Sequence, residues 1–306
     1  MAPVIHYVER HHINDERWNS CIHTSCNGLI YATTIYLDAM CDGQWAALIM
    51  DDYYAVMPLP YRRKYGISYI YQPAFTQQSG VFANDITDAG TIEKFIQHIP
   101  SKFLFIETNF NAANNVVTQA AKKRKNYLLD ISGNYETLKK NYSRSAKRNI
   151  TKAVKSEIKL IENIPTSDII ALHRHRFNDS VGATKQDYSR LQELCNILSQ
   201  QKNCYTAGAF DKDGQLIAGS IYWLYKNRVT FILNGNSPKS LACGATHFLK
   251  DAVIQKFAEK DLWIDFEGSD FPAFARFYEQ FGNTEIEYYS TLVINKLPWP
   301  LKLFKK

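Results

Sequence analysis

Two carboxylates near the end of the chain have the spacing that proton-transfer chemistry needs. Asp265 and Glu267 lie two residues apart at the end of the apolar run Leu262–Phe266. Side chains alternate along a strand, so both carboxylates lie on one face. At the carboxyl end of a central strand, Glu267 can take a proton from an amine nucleophile. The alternative is a carboxylate bound by the backbone N–H groups of residues 268–269.

The elements around these carboxylates predict a mixed sheet. A crossover helix between the runs Val229–Gly235 and Leu262–Phe266 makes these two strands parallel, and the preceding meander is antiparallel. A central parallel pair in such a sheet leaves a place where two strands can splay apart. The predicted elements are Ile158–Glu162, helices Asp168–Asn178 and Gln186–Ser199, strands Tyr205–Phe210, Leu216–Tyr225 and Val229–Gly235, helix Gly244–Glu259, strand Leu262–Phe266, a short helix with Pro272 in its first turn, and strand Glu285–Asn295.

The first half of the chain also predicts an α/β arrangement. Apolar runs bounded by turn residues indicate strands, and amphipathic runs indicate helices. The predicted elements are helix Asp15–Cys26, strands Gln44–Met50, Tyr53–Pro60 and Ile67–Gln72, helix Thr91–His98 and strand Phe103–Thr108.

Length and composition indicate two packed domains. The chain has 306 residues with 45% hydrophobic and 22% charged residues, and a domain averages about 150 residues. We place the domains at residues 1–145 and 146–306, with Ser143 as the cap of a helix running through Lys155. Disorder and coiled coil are excluded by composition. No apolar run is long enough to span a membrane, and the N-terminus lacks a signal-peptide pattern, so we expect a cytoplasmic protein.

Positive charge is concentrated where the two predicted domains meet. Between Lys122 and Lys159 the sequence has twelve Lys or Arg residues and only Asp130, Glu136 and Glu157 as acids. One interpretation is a solvated face on helices that connect the domains. The other is a groove for phosphate or RNA.

The cysteines and histidines do not predict a metal site. The six cysteines form no Cys-x-x-Cys pair, which is typical of a reduced chain. The N-terminal cluster of His11, His12, Cys21, His23 and Cys26 has no common zinc spacing, and we interpret it as ordinary helix packing.

The element order over about residues 158–295 resembles the acyltransferase fold of the GNAT superfamily. Members bind the pyrophosphate of acyl-CoA with the pattern Arg/Gln-x-x-Gly-x-Gly/Ala, and the matching stretch here is Lys239-Ser-Leu-Ala-Cys-Gly244. Lys239 replaces the Arg/Gln and Ala242 the first Gly. The alternative is a loop that only starts a core helix. The resemblance implies that a helix N-terminus binds phosphate oxygens of acyl-CoA as co-substrate, through Lys239, Ser240, Ala242, Gly244, Ala245 and Thr246.

A second motif supports the same resemblance. Ala275-Arg-Phe-Tyr-Glu-Gln-Phe-Gly282 is similar to the GNAT segment A-x-x-x-Y-x-x-x-G-F. In that superfamily the Tyr often protonates the leaving thiolate, and this role would fall on Tyr278. The alternative is that Tyr278 packs with Phe274 and Phe277 against the sheet.

The whole chain resembles the FemAB-like aminoacyl and acyl transferases. The resemblance rests on short matches in order: Trp18, Asn27-Gly-Leu-Ile-Tyr31, Tyr36-Leu-Asp38, Met57-Pro-Leu-Pro-Tyr-Arg-Arg63, Gln72-Pro-Ala-Phe-Thr-Gln77, Gly80-Val-Phe82, Ser143-Arg-Ser-Ala-Lys-Arg-Asn-Ile150 and Asp265-Phe-Glu-Gly-Ser269. It implies two GNAT-like domains and transfer from aminoacyl-tRNA, without CoA, to an amine of a peptidoglycan precursor. The long helical arm of several members is absent here. Arg62, His173 and Arg176 are candidate substrate-binding residues, and a solvated surface is the alternative for each.

Together these patterns predict an N-acyltransferase. An activated donor, acyl-CoA or aminoacyl-tRNA, would pass its acyl group to an amine acceptor such as a cell-envelope precursor. Tyr278 and Glu267 are the candidate acid and base, and no metal is expected. The alternative function is a non-catalytic binding or scaffold protein on a decayed GNAT fold. The tail Leu297–Lys306 mixes Trp, Leu and Phe with Lys, and it either contacts a membrane surface weakly or docks on the fold.

Overall fold

The chain folds into two compact units. The structure is a computed structural model that describes residues 3–85, 88–177, 182–268 and 271–299. The first unit consists of Met1–Arg124 together with Tyr288–Lys306, and the second unit is Lys125–Glu287. The chain therefore passes from one unit to the other twice.

The first unit contains the six predicted elements together with β1, α2 and β5, which the sequence did not predict. Trp45–Met50 is buried at all six positions, which explains its unbroken apolar sequence. In chain order the elements are β1 (Ile5–Glu9), α1 (Asp15–Thr24), α2 (Thr34–Cys41), β2 (Trp45–Met50), β3 (Ala55–Lys64), β4 (Ile67–Ile70), β5 (Phe82–Ala83), α3 (Ala89–Gln97) and β6 (Phe103–Phe110).

The remaining elements build the second unit, and the last strand returns to the first. They are β7 (Ala121–Asp130), α4 (Tyr135–Lys140), α5 (Arg144–Lys155), β8 (Lys159–Glu162), α6 (Thr166–Phe177), α7 (Lys185–Gln200), β9 (Cys204–Phe210), β10 (Leu216–Tyr225), β11 (Arg228–Asn236), α8 (Pro238–Cys243), α9 (Ala245–Phe257), β12 (Trp263–Asp265), α10 (Pro272–Tyr278) and β13 (Thr284–Asn295).

The sheet of the first unit contains one parallel pair. Its strand order is β1-β2-β3-β4-β6-β13, and β5 pairs with β3. Only β4 and β6 are parallel among these neighbours. The end of β13, Ser290–Asn295, pairs with β6 and so belongs to this unit.

The sheet of the second unit confirms the predicted meander and crossover. Its strand order is β7-β12-β11-β10-β9-β8. Strands β9, β10 and β11 form an antiparallel meander, and β11 pairs with β12 in parallel. The helices α8 and α9 lie in the connection between β11 and β12, where we expected a single helix.

Helices cover both faces of this second sheet. Helix α6 packs on β10 and β11, while α9 packs on β9 and β10 and in turn contacts α5. Gly219 and Gly235 let α6 approach closely, because a Cβ at Gly219 would lie 2.9 Å from a side-chain atom of Ile169. Tyr222, three residues after Gly219 in β10, points to the opposite face and contacts Lys250 of α9.

Two sequence expectations differ from the structure. One interpretation placed the basic stretch that begins at Lys122 on helices, but Ala121–Asp130 is a ten-residue strand whose last residues, Leu128–Asp130, pair with β12. The unit limits also differ from the expected 145/146 boundary. Helix α5 packs on α9 inside the second unit, whereas the C-terminal strand joins the first.

The helix caps were predicted more accurately. The Ser143 side chain accepts a hydrogen bond from the backbone N–H of Ala146, and α5 ends at Lys155 as expected. Helix α10 has Pro272 in its first turn. The caps considered for that helix, Ser269 and Asp270, lie outside the described residues.

We expect the close approach of α6 to make Gly235 intolerant of a side chain. In Gly235→Ala the new Cβ would lie 2.7 Å from the Ile169 carbonyl oxygen and 3.0 Å from the His173 nitrogen. The free energy of unfolding should fall by about 2 kcal/mol, measured by urea denaturation. Gly133→Ala is the control, since its nearest neighbour would be 3.7 Å away at Leu138. Equal effects of the two variants would contradict the close packing of α6.

Candidate active site

The parallel strands β11 and β12 separate after a short pairing. They pair at Arg228 with Trp263, at Val229 with Ile264, and at Thr230 with Asp265. Strand β12 ends there, while β11 continues to Asn236. Beyond Thr230 and Asp265 the two strands are unpaired, and we call this end of the pair the gap; it is the place where the sequence predicted that the strands can splay apart.

A β-bulge lies at the start of this gap. In the pairing of β10 with β11, Ile221 faces Leu233 and Tyr222 faces Phe231, so Ile232 is an extra residue in β11. A bulge takes the extra residue out of the regular hydrogen-bond ladder and redirects its backbone groups. The backbone N–H at this position is therefore a candidate donor to a ligand in the gap.

An ion-pair network fixes the end of β12. Asp265 is only 2% exposed, and Nη1 of Arg228 donates a hydrogen bond to its Oδ2 at 2.8 Å. Nη2 of the same guanidinium donates to Oε1 of Glu287 at 3.1 Å, and Glu287 also accepts from the Asn126 amide. Burial raises the pKa of Asp265, and the positive charge of Arg228 opposes that rise.

Glu267 is held by the same network through its backbone. Its N–H donates to Oδ1 of Asp265 at 2.9 Å, and its φ of 57° lies in the left-handed region. A residue other than glycine needs support to keep this conformation. Asp265 supplies the support, so its carboxylate orients Glu267 and is itself occupied by Arg228.

Tyr278 and Glu267 come together at the gap. The Tyr278 ring stacks on Phe266, with centroids 4.9 Å apart and an interplanar angle of 8°. Tyr278 is 8% exposed. Burial raises the pKa of its phenol, and the negative charges of Glu267 and Asp265 raise it further. The phenol therefore stays protonated at neutral pH. Aromatic packing and the role of general acid, given as alternatives for Tyr278, are compatible with each other.

The segment considered for phosphate binding has a different local structure from the one expected. Lys239, Ser240 and Ala242 lie in the additional helix α8. The Lys239 ammonium binds Asp211 Oδ2 at 2.5 Å, and Ser240 is buried with its hydroxyl donating to the Ser237 carbonyl. These side chains are engaged within the fold.

The start of α9 is also tightly packed. Gly244 has a φ of +82°, and a Cβ there would lie 2.2 Å from the carbonyl oxygen of Asn149 in α5. Ala245 is fully buried, and the Thr246 hydroxyl donates to Oδ1 of Asn236. The glycine therefore permits a close contact between two helices. This is the core-helix interpretation that the sequence left open.

The three candidate substrate-binding residues are spread over the two units. Arg62 belongs to β3 of the first unit, with its guanidinium 4.1 Å from the centroid of the Tyr71 ring. His173 and Arg176 belong to α6 of the second unit. His173 is buried and its Nδ1 donates to the Asn234 carbonyl at 2.8 Å, while Arg176 is exposed. Burial lowers the pKa of His173.

The parallel pair of the first unit is occupied by its own chain. Beyond β4, the Gln72 side chain accepts a hydrogen bond from the Asn109 N–H, and the Asn109 amide donates to the Gln77 carbonyl. Ser79 then bonds through its N–H to the Asn109 carbonyl and through its own carbonyl to the Asn111 N–H. These contacts satisfy hydrogen-bonding groups along the edge of β6. The second unit therefore provides the better candidate site.

Sequence reasoning did not single out Lys250, which lies beside the candidate site. It lies in α9, is 3% exposed, and its Nζ donates to the Tyr222 hydroxyl at 2.8 Å. A signal was available, because Lys250 is four residues from both Thr246 and Ile254, which lie on the buried face of the helix. A lysine on such a face is unusual enough to deserve a functional interpretation.

The described residues contain neither a cluster of metal ligands nor a helix that could span a membrane. In those ranges, no three His, Cys, Asp or Glu side chains gather as metal ligands. Among the same residues, no helix combines the length and the apolarity that crossing a bilayer requires. Of the tail, Leu297 is buried and Trp299 is 78% exposed, and residues 300–306 lie outside the described ranges.

Comparison with solved structures decides the fold. The crystal structure of FemX aligns over 100% of both chains with a TM-score of 0.68 and 10% identity. The chain has the tandem GNAT fold. L-PGS from Bacillus licheniformis aligns with a TM-score of 0.51 and 10% identity over 95% of each chain. A tandem GNAT protein from the clavulanic acid biosynthesis pathway gives 0.50 and 8%, over 96% of this chain and 100% of that one.

These comparisons confirm the expected fold class and the resemblance to FemAB-like tandem GNAT proteins. No protein-family model and no curated protein matches the sequence. At identities of 10% and below, the likeness establishes the fold alone.

We expect the Arg228 network to stabilise the fold as well as to shape the site. Arg228→Met should lower the free energy of unfolding by about 3 kcal/mol, because it leaves Asp265 buried without its counter-charge. Arg148→Met, on the exposed face of α5, is the control and should change stability by less than about 0.5 kcal/mol. Urea denaturation of both variants measures the difference. A loss below about 1 kcal/mol in Arg228→Met would contradict the role given to the network.

Proposed function

We propose that the second unit is an N-acyltransferase whose reaction takes place in the gap between β11 and β12. The observation that carries the proposal is the coincidence of four features at one place: the end of the strand pair, the bulge at Ile232, the fixed Glu267 and the protonated Tyr278. The tandem GNAT fold supports the same reaction class.

The geometry suggests a direct transfer. The acceptor amine attacks the acyl carbonyl, forming the new C–N bond, while a backbone N–H at the bulge stabilises the developing oxyanion. Glu267 takes the proton that the amine releases. The tetrahedral intermediate then breaks its bond to the leaving group, and Tyr278 donates a proton to that group. The proton on Glu267 returns to the phenolate through solvent.

The local structure favours an ester of RNA over acyl-CoA as the donor. The start of α9 is packed against Asn149, and Lys239 is bound to Asp211, so this segment lacks the open phosphate loop that acyl-CoA would need. The raised pKa of Tyr278 points the same way. A weakly acidic phenol readily protonates an alkoxide, but transfers a proton poorly to a thiolate, whose conjugate acid has a pKa of about 8.5.

Helix α5 offers a surface that suits RNA. It contains no acidic residue, and it buries Ala146, Ile150 and Ala153 while its cations are exposed. Arg144, Arg148, Lys152 and Lys155 repeat every three or four residues and so share one stripe. Their spacing along the helix is about 6 Å, close to that of successive phosphates on a nucleic acid strand. Ala146, Ile150 and Ala153 are buried, so the exposed surface of the helix consists mainly of its cations, with Val154 as an exposed apolar residue.

The reaction is tested by transfer from aminoacylated RNA to an amine panel. We expect the intact protein to form amide product and Tyr278→Phe to lower kcat by about a hundredfold, since general acid catalysis contributes about that much. Tyr135→Phe, which removes a hydroxyl of α4, should leave kcat unchanged. Absence of turnover with aminoacyl-RNA and with acyl-CoA would instead support the non-catalytic alternative, and equal rates for both tyrosine variants would refute the acid role.

The donor is tested separately by RNA affinity. In the double variant Arg148→Ala and Lys152→Ala, the slope of log affinity against log salt should decrease by about 2, because each lost phosphate contact removes about one unit. The control pair is Lys185→Ala and Lys212→Ala, which removes two exposed lysines elsewhere in the second unit. A gel-shift titration at several salt concentrations gives the slopes. Equal slopes for both pairs would exclude α5 as the RNA surface, and calorimetric binding of acyl-CoA would favour the thioester donor.

A further inference from the structure

The amine of Lys250 is buried among aromatic rings. Its Nζ lies 3.2 Å from the centroid of the Phe231 ring, 4.8 Å from that of Tyr222 and 5.3 Å from that of Phe266. An ammonium has three hydrogens to donate, and the Tyr222 hydroxyl accepts one of them at 2.8 Å. The rings attract a cation, but they satisfy no hydrogen-bond donor in the way an oxygen does.

The amine lies next to the point where the strand pairing ends. Phe231 directly follows Thr230, the last residue of β11 that pairs with β12, and Phe266 directly follows Asp265, the last of β12. Lys250 thus contacts the rings of the first residue on each strand beyond the pairing. An acyl group that entered the gap toward α9 would point at this amine.

No carboxylate in the described ranges compensates Lys250. Asp251, the next residue of α9, accepts a hydrogen bond from the Tyr135 hydroxyl, and Asp265 is bound by Arg228. Burial alone lowers the pKa of Lys250, well below its ordinary value. A buried amine without a counter-charge costs stability, whereas an apolar residue of similar size would not.

The titratable groups around the amine are phenols. Tyr222 projects from β10, and Tyr205 packs beside it from β9. Burial raises the pKa of Tyr222, and the neighbouring phenols of Tyr205 and Tyr278 raise it further. Glu267, beyond Tyr278, is the site's remaining carboxylate. A negative charge placed against Lys250 would therefore meet neutral phenols and one amine.

We propose that the acyl group transferred at this site carries a second, ionised carboxylate, and that this carboxylate binds the amine of Lys250. The inference rests on the proposed acyl transfer in the same gap. The carboxylate supplies the hydrogen-bond acceptors and the counter-charge that the aromatic rings do not. A site built around a buried polar group rejects an apolar analogue strongly, because the group is then left unpaired. Lys250 is thus the residue that sets the acyl specificity.

Binding of such a carboxylate takes up a proton. Without a ligand, burial favours the neutral amine, and a carboxylate at hydrogen-bonding distance raises the pKa of Lys250 again. The affinity should therefore decrease as the pH rises through the pKa of Lys250 in the complex. A lysine with a purely structural role would show no such linkage.

Two small acids of equal shape test the proposal on the intact chain. The probes are succinate and 4-methylpentanoate, in which an isopropyl group replaces one carboxylate. By titration calorimetry we expect succinate to bind at least about tenfold more tightly, as a hydrogen bond to a charged group is worth that much. Titrations in buffers of different ionisation enthalpy should show uptake of up to one proton per succinate near neutral pH. Equal affinities, or no succinate binding, would overturn the proposal without recourse to any variant.

Variants locate the preference. Lys250→Met should abolish both the preference for succinate and the proton uptake, and thermal denaturation verifies that it is folded. Lys256→Met, on the same helix with its ammonium bound to Glu162, should keep both. Retention of the succinate preference in folded Lys250→Met would show that another residue recognises the carboxylate and would also overturn the proposal.

Transfer assays separate this inference from the proposed function. Succinate preference without transfer from any ester or thioester would leave the Lys250 site standing and refute the acyltransferase. Transfer of neutral acyl groups as fast as dicarboxylic ones, with no succinate preference, would refute the role of Lys250 and leave the acyltransferase standing.

Discussion

The candidate site depends on one buried ion pair, between Arg228 and Asp265. Arg228 lies on β11 and Asp265 on β12, so their contact joins the two parallel strands just where the pairing ends. The same carboxylate accepts the N–H of Glu267 and keeps that residue in the left-handed conformation. With Glu287 and Asn126 completing the network, the edge of the gap is fixed by charges that are satisfied inside the protein. The position of Glu267 follows from this arrangement.

Two buried ionisable side chains in the second unit have opposite surroundings. Asp265 has a guanidinium against it, and its hydrogen-bonding capacity is used. Lys250 has one phenol and several rings, which leaves its capacity incomplete. Both lie beside the same gap, so the contrast indicates that the fold completes one charge itself and leaves the other for a ligand. In the first unit, the corresponding parallel pair is closed by residues of the chain, with Gln72 and Ser79 bonded to β6.

Local sequence patterns predicted much of the fold. The meander, the crossover and the Ser143 cap followed from alternation, apolar runs and cap chemistry, which act over a few residues. Strand β7 was missed because its first half contains Lys122, Lys123 and Lys125, and such a run of lysines is typical of a solvated charged segment. Helix α8 was missed because the GNAT-like motif suggested a phosphate loop at Lys239–Gly244. In the structure, Gly244 instead serves the contact of α9 with Asn149.

The sequence by itself determined the order of the meander, the crossover and the following helix, and it placed Glu267 and Tyr278 near one strand end, since neighbours in sequence are constrained by local geometry. Only the tertiary structure decided which side chains are paired. Arg228 binds Asp265, which is 37 residues away in sequence, and Lys250 binds Tyr222, which is 28 residues away. The role of an ionisable side chain depends on its surroundings, because burial and partners set both its pKa and the free-energy cost of burying it. For that reason Lys239, expected at a phosphate, is bound to Asp211. Lys250 lies on the buried face of α9, and it is the residue that indicates a ligand.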